Sequence, residues 1–219
     1  MAWLDDNNAG KSKPRPPAGG DLIAALTHLR AHDPVMSGLI DRHGPCRLSP
    51  STPYFAVVVE TVISQQLSTH AAKAIFGRLV DLVGRKSLRP SDILAIPDRR
   101  FLDIGFSRSK TLYVKNAAKL FGSRRLGPRT FARMSDAEVT ELLTAVKGIG
   151  DWSAHMFLIF ALGRLDVFPV GDLGLRNAMA RAYRLRKPPA PARLERIGNR
   201  WRPYRTVGTW YIWASYDNG

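Results

Sequence analysis

Leu142-Leu143-Thr144-Ala145-Val146-Lys147-Gly148-Ile149-Gly150-Asp151-Trp152-Ser153-Ala154 is the stretch on which the fold turns. One helix ends, two glycines flank a single apolar residue, and a second helix begins at once. Glycine at Gly148 and Gly150 lets the backbone turn tightly and lets another molecule approach without a Cβ in the way. The N–H groups at the start of the second helix can then hold a phosphate, with the charge of Lys147 beside it. Ile149 is expected to point inward and pin the hairpin to the core. A Gly-x-Gly turn also joins many helix pairs for structural reasons alone, so the motif by itself leaves both readings open.

Outward from this hairpin the helix signals continue. Ser135 and Glu138 have the spacing of a capping box that opens the first hairpin helix. Ser107 opens a helix running to Phe121, and Ser68 opens one carrying Ala71, Ala72, Ile75, Leu79 and Leu82. Asp33-Pro34 and Thr52-Pro53 each place a cap before a proline at the first helical position. Asp21 is expected to cap a helix with Leu22, Ile23, Leu26 and Leu29 on one face. A last helix is expected from about Pro203 to Tyr216. No sustained apolar/polar alternation marks a sheet. The predicted fold class is all-α, with about ten helices. Residues 1–20, rich in Pro and Gly and carrying Lys11, Lys13 and Arg15, read as a disordered basic tail, with the helical domain over 21–219.

The chain has 219 residues, 33 Lys and Arg against 18 Asp and Glu, and a formal charge of +15. Such an excess fits a polyanionic partner better than a merely soluble surface. The single cysteine, Cys46, cannot form an internal disulfide and cannot ligate an iron–sulfur cluster, which needs about four. No Cys/His cluster has zinc spacing. His28, His32, His43, His70 and His155 form no hydrolytic arrangement with Ser or Asp, and His155 reads as a partly buried packing residue. Neither a secretory signal nor a membrane span is expected. The expected location is therefore a reducing one: bacterial cytoplasm, or the nucleus of a eukaryote.

Gly171-Asp172 follows Asp166-Val167-Phe168-Pro169-Val170 and precedes a helix with Leu173, Leu175, Met179 and Tyr183. An aspartate there is first of all a helix cap. Helical N–H groups that satisfy a cap also aim its carboxylate, so the same feature prepares it for chemistry.

Hairpin and aspartate together resemble the signature of the helix-hairpin-helix (HhH-GPD) DNA glycosylase superfamily. Within it the likeness is to the 3-methyladenine glycosylase II type. Ile63-Ser64-Gln65-Gln66-Leu67-Ser68 resembles that family's minor-groove loop, and Trp201-Arg202-Pro203-Tyr204-Arg205 with Tyr211-Ile212-Trp213 resembles its C-terminal helix.

The resemblance implies two helical lobes flanking a DNA-binding and base-binding cleft. Asp172 is implied as the catalytic carboxylate, and Trp152, Met156 and Trp213 as the base pocket. Gln65, Gln66, Leu67, Lys147, Gly148, Ile149 and Gly150 are implied as the DNA-binding set. It also implies a monomer that flips alkylated bases out of double-stranded DNA and excises them with no metal or organic cofactor required. A monovalent cation on the backbone carbonyls of Thr144, Val146 and Ile149 is a further implication. Members that also cleave the backbone carry a lysine where Trp152 stands here, so strand cleavage is not expected. Two alternatives stay open: a non-catalytic helix-hairpin-helix DNA-binding module, and the same fold acting on oxidised, deaminated or etheno bases. The dense series Arg176, Arg181, Arg184 and Arg186 reads as a solvated, DNA-facing side.

Overall fold

The computed structural model describes residues 19–51, 53–84, 87–124 and 126–217. Among them every regular element is helical: α1 Gly19–His32, α2 Pro34–His43, α3 Tyr54–Ser64, α4 Thr69–Val83, α5 Pro90–Ala95, α6 Asp98–Asp103, α7 Arg108–Ser123, α8 Pro128–Phe131, α9 Asp136–Thr144, α10 Asp151–Phe160, α11 Leu173–Ala182, α12 Pro191–Gly198, a 3-10 turn Asn199–Trp201, and α13 Arg205–Asp217. No described helix is long and apolar enough to cross a membrane. The helices divide into two compact units, one from residues 51–162 and one from 19–50 with 163–217.

In the 51–162 unit, α3 is the central element. Tyr54, Phe55, Val57, Val58, Val59, Thr61, Val62 and Ile63 are all buried. Its run of three valines is a mediocre helix former in isolation. Burial on nearly all sides overrides that preference, because tertiary packing supplies most helical stability in proteins. Helices α7 and α10 pack on α3. Phe131 and Phe157 lie 5.1 Å apart and Tyr54 and Phe131 5.5 Å apart, within the range of favourable aromatic pairs. The Ser51 amide donates to the carbonyl of Phe160 at 2.7 Å, satisfying one orphan acceptor at the end of α10.

In the other unit, α13 packs on α11 and α2. Asp33, fully buried, caps α2: its Oδ1 accepts from the amides of Val35 and Met36 at 3.0 and 3.4 Å. Its Oδ2 accepts from the Tyr183 hydroxyl at 2.5 Å, the Trp201 indole at 3.1 Å and the Arg200 guanidinium at 3.2 Å. Burial, and then the Asp33 carboxylate, push the Tyr183 phenol above its ordinary value. A buried charge needs such a donor set to offset its lost hydration. Asp166 fixes the start of α13 by accepting from Arg205 Nε at 2.7 Å and Arg202 Nη1 at 2.9 Å.

Ser68, Ser107 and Ser135 cap their helices through the side chain, and Glu138 completes the box at Ser135. Five expectations are corrected. Helix α1 starts at Gly19, so Asp21 sits in its first turn rather than at its cap. Ile23 is 69% exposed while Ala25 is fully buried, so Ala25 joins Leu29 on the inward face in its place. Helix α13 starts at Arg205 rather than near Pro203. The helix total exceeds ten because α5, α6 and α8 span only six, six and four residues, too short to show a period. Pro53 is the residue before α3 rather than its first member, and Thr52 lies outside the described residues. Of the expected tail, 1–18 lie outside them too.

Candidate functional site

The hairpin forms as the glycines require. Gly148 has φ +100°, in the region that favours glycine, and a Cβ there would lie 1.9 Å from Cγ of Tyr113. The ring of Tyr113, on α7, therefore occupies the space a side chain would need. Ile149 is buried at 4% exposure and its amide closes the turn onto the Val146 carbonyl at 3.0 Å. Gly150 is the extended N-cap of α10, with nothing within 4 Å of where a Cβ would stand. Lys147 and Gly150 are exposed. The turn thus presents backbone and one cation to solvent, while Ile149 and Tyr113 hold it from within.

The Gln65–Ser68 loop follows α3. Gln66 is held at φ +56°, uncommon for a residue other than glycine, and is exposed, and Leu67 is 39% exposed. Gln65 behaves differently from its neighbours. Its side-chain Nε2 donates to the carbonyl of Gly148 at 2.9 Å and to Ser153 Oγ at 3.0 Å. Lys110 Nζ donates to the carbonyls of Ile63 at 2.6 Å and Gln65 at 2.8 Å, ending α3, and burial pulls its ammonium below the ordinary lysine value. Lys110, Tyr113 and Ser153 are the residues that sequence reading passed over. Lys110 and Tyr113 stand in no recognisable motif, and Ser153, though inside the hairpin stretch, gains its task only when the end of α3 is set beside α10.

Asp172 is the N-cap of α11 and is 8% exposed. The turn before it closes through its own amide, which donates to Pro169 at 2.9 Å. Its Oδ1 accepts from the Leu175 amide and from the Trp213 indole Nε1, the latter at 3.1 Å. A Cβ at Gly174 would come 3.2 Å from that oxygen, so glycine leaves the carboxylate room. The helix dipole favours negative charge at this end. Leu173, the next residue, is 64% exposed.

The expected base-pocket residues have distinct settings. Trp152 is half-buried in the first turn of α10, Met156 is 1% exposed in the core, and Trp213 is 3% exposed with its N–H given to Asp172. His155 is half-buried. Of the arginine series, Arg176 is half-buried and donates to the Pro189 carbonyl at 3.2 Å, while Arg181, Arg184 and Arg186 are exposed. Glu60, on α3, has its carboxyl pushed up to about 7 by burial, with Lys73 opposing. Among the described residues no group of His, Cys, Asp and Glu could hold a metal ion.

A hairpin built to expose backbone amides, a protruding loop and a capping aspartate together match a known family. Residues 59–203 match the family model of the HhH-GPD superfamily base excision DNA repair proteins, and the chain belongs to that superfamily. It is 33% identical over 207 residues to DNA-3-methyladenine glycosylase 1 of Schizosaccharomyces pombe, covering 89% of this chain and 90% of that protein. It is 28% identical to the alkylbase DNA glycosidase-like protein mag2 of the same organism, covering 88% and 93%. Among solved structures, the Schizosaccharomyces pombe 3-methyladenine DNA glycosylase in complex with abasic DNA superposes with a TM-score of 0.80 at 33% identity, covering 87% of this chain and 95% of that one. A DNA-3-methyladenine glycosidase from Bacillus halodurans gives 0.74 at 33% identity, covering 88% of each.

Proposed function

We propose that this protein is a monofunctional DNA glycosylase that flips alkylated bases, of the 3-methyladenine and 7-methylguanine class, out of duplex DNA and hydrolyses their N-glycosidic bond. The observation that carries the reading is Asp172, a capping carboxylate held on one oxygen by two N–H donors and still reaching the surface.

A base cannot be cut from its sugar inside the stack, so the nucleotide must first leave it. The amides at the start of α10, next to the exposed Gly150, and the charge of Lys147 take a phosphate, and Leu67 and Gln66 enter the space the base vacates. Cationic N-alkylated purines suit the aromatic face of Trp152. Met156, sealed in the core, supports that region without touching the base. The C1′–N bond breaks with its electron pair going to the base, which leaves neutral because it was cationic. The sugar takes the positive charge, and the Asp172 carboxylate stabilises it. Water then adds to C1′ and its proton passes to Asp172 or to solvent, leaving an abasic site. Trp213 holds Asp172 in place.

With Trp152 in the lysine position no amine is available for a Schiff base, so the strand stays intact. The resemblance would place a monovalent cation on the carbonyls of Thr144, Val146 and Ile149, of which Val146 also accepts from the Ile149 amide. Such an ion would add positive charge beside a bound phosphate.

The test is base release from methylated duplex DNA, with strand breaks scored before and after alkali. Base release is expected, with breaks only after alkali. Asp172→Asn is expected to bind duplex within a few-fold of the parent and to lose at least about 100-fold in single-turnover excision. Full excision by that variant would refute the catalytic assignment. Duplex binding without base release by the parent would favour a bare binding module.

A further inference from the structure

We infer that Gln65 acts as a positioning residue that, with Lys110, couples the phosphate-gripping hairpin to the protruding Gln66–Leu67 tip. The inference rests on the glycosylase reading and changes one role within it, since both glutamines of this loop would otherwise be taken as readers of the orphaned bases.

The geometry separates the two glutamines. Both N–H bonds of the Gln65 amide nitrogen are committed within the protein, one to the Gly148 carbonyl and one to Ser153 Oγ. A base-edge acceptor would have to displace them to bond that nitrogen. Gly148 is the hairpin residue fixed by its φ of +100° and by the Tyr113 ring, so Gln65 is tied to the least movable point of the turn. Ser153, buried on α10, is the second anchor. The backbone of Gln65 is held separately, through the Lys110 ammonium that also gathers Ile63.

Only after this double attachment does the chain enter the left-handed conformation at Gln66 and expose Leu67. A non-glycine residue keeps such a backbone only when its surroundings impose it. Lys110, part-withdrawn from water on α7, spends its charge on two carbonyls rather than on DNA. The hairpin and the tip are therefore parts of one clamp. A hairpin fixed on a phosphate therefore fixes the base of the Leu67 tip through the Gln65 side chain rather than along the intervening chain.

The experiment compares affinity for an undamaged duplex with affinity for one carrying a single tetrahydrofuran abasic-site analogue, which reports insertion of the tip without chemistry. The parent is expected to prefer the abasic duplex. Gln65→Met is expected to keep its undamaged-duplex affinity within about twofold and to lose about tenfold in abasic preference, whichever base stands opposite. Lys110→Met is expected to behave likewise. Leu67→Ala is expected to show the same loss, and the Gln65→Met/Leu67→Ala double variant to lose little more than either single, because both act on one step. Three results would overturn the inference. One is an unchanged abasic preference in Gln65→Met, and another a loss that varies with the opposite base, the mark of a reader. The third is an equal loss on undamaged duplex, which would make Gln65 a support of the fold only. A parent with no abasic preference would refute the glycosylase reading and the coupling with it.

Discussion

Gly148 and Gly150 look equivalent in the sequence, and the structure gives them different tasks that two alanine substitutions separate. Gly148→Ala places a Cβ at φ +100° and 1.9 Å from the Tyr113 ring. The backbone term is about 1–3 kcal/mol, and displacing a packed ring adds about 1–3 kcal/mol. The expected destabilisation is therefore about 2–6 kcal/mol, a large part of the stability of a small domain. Gly150→Ala meets nothing within 4 Å and sits in extended backbone at φ −100°, so it is expected to cost under about 1 kcal/mol. Urea denaturation at fixed pH measures both. Tyr113→Ala supplies the internal check: in that background the collision is gone, and the Gly148→Ala penalty is expected to shrink by at least about 1 kcal/mol. Duplex binding should rank the variants the other way relative to their stability. A methyl on Gly150 stands where the proposed function brings a phosphate, so Gly150→Ala is expected to weaken binding about tenfold while remaining well folded. The reasoning is refuted if Gly148→Ala melts within about 0.5 kcal/mol of the parent, or if removing the Tyr113 ring leaves its penalty unchanged.

Trp213→Phe removes the indole donor to Asp172. A hydrogen bond to a charged group contributes about 1.5–3 kcal/mol, so single-turnover excision is expected to fall about 10- to 100-fold with duplex affinity nearly unchanged; parallel losses in both would count against a role specific to Asp172. Glu60 titrates at about 7 in the folded chain against an ordinary 4.5. The folded state then keeps a proton that the unfolded state has released, so stability declines as pH rises between those values, by up to about 3 kcal/mol. Glu60→Gln is expected to abolish that decline, matching the parent near pH 4.5 and exceeding it at pH 8 in paired denaturation curves; a parent whose stability is flat across this interval would contradict the burial argument.

Local signals in the sequence located what local chemistry decides. The Gly148-Ile149-Gly150 turn and the serine caps at 68, 107 and 135 are written in a few adjacent residues, and helix ends follow from them. Ile23 shows the limit. Leu22, Leu26 and Leu29 define a stripe, but which residue completes it depends on the neighbouring helix, and the small Ala25 was taken inside while the larger Ile23 was left out. The site shows the same division. The capping position of Asp172 was legible because capping is local, whereas the occupation of Gln65 by Gly148 and Ser153 spans 83 and 88 residues of sequence. Lys110 was invisible for the same reason: a lysine on an exposed-looking helix announces nothing until α7 is set beside the end of α3.

The same unit holds a second capping aspartate against which Asp172 can be judged. Asp33 and Asp172 are both buried, both precede a helix, and both accept a tryptophan N–H. Asp33 has no exposed surface and faces the Arg200 guanidinium and the Tyr183 hydroxyl, so its charge is neutralised where it stands. It is a structural anchor between α2 and the turn at Trp201. Asp172 keeps 8% of its surface, stands beside a leucine left 64% in solvent, and has a glycine two residues on that spares space around its oxygen. Capping alone asks for none of these. A carboxylate that must meet a developing cation, the role proposed for Asp172, asks for access to the surface and a fixed direction, and two N–H donors on Oδ1 supply the second. The cap fixes where Asp172 points, and the proposed function gives that direction a chemical use.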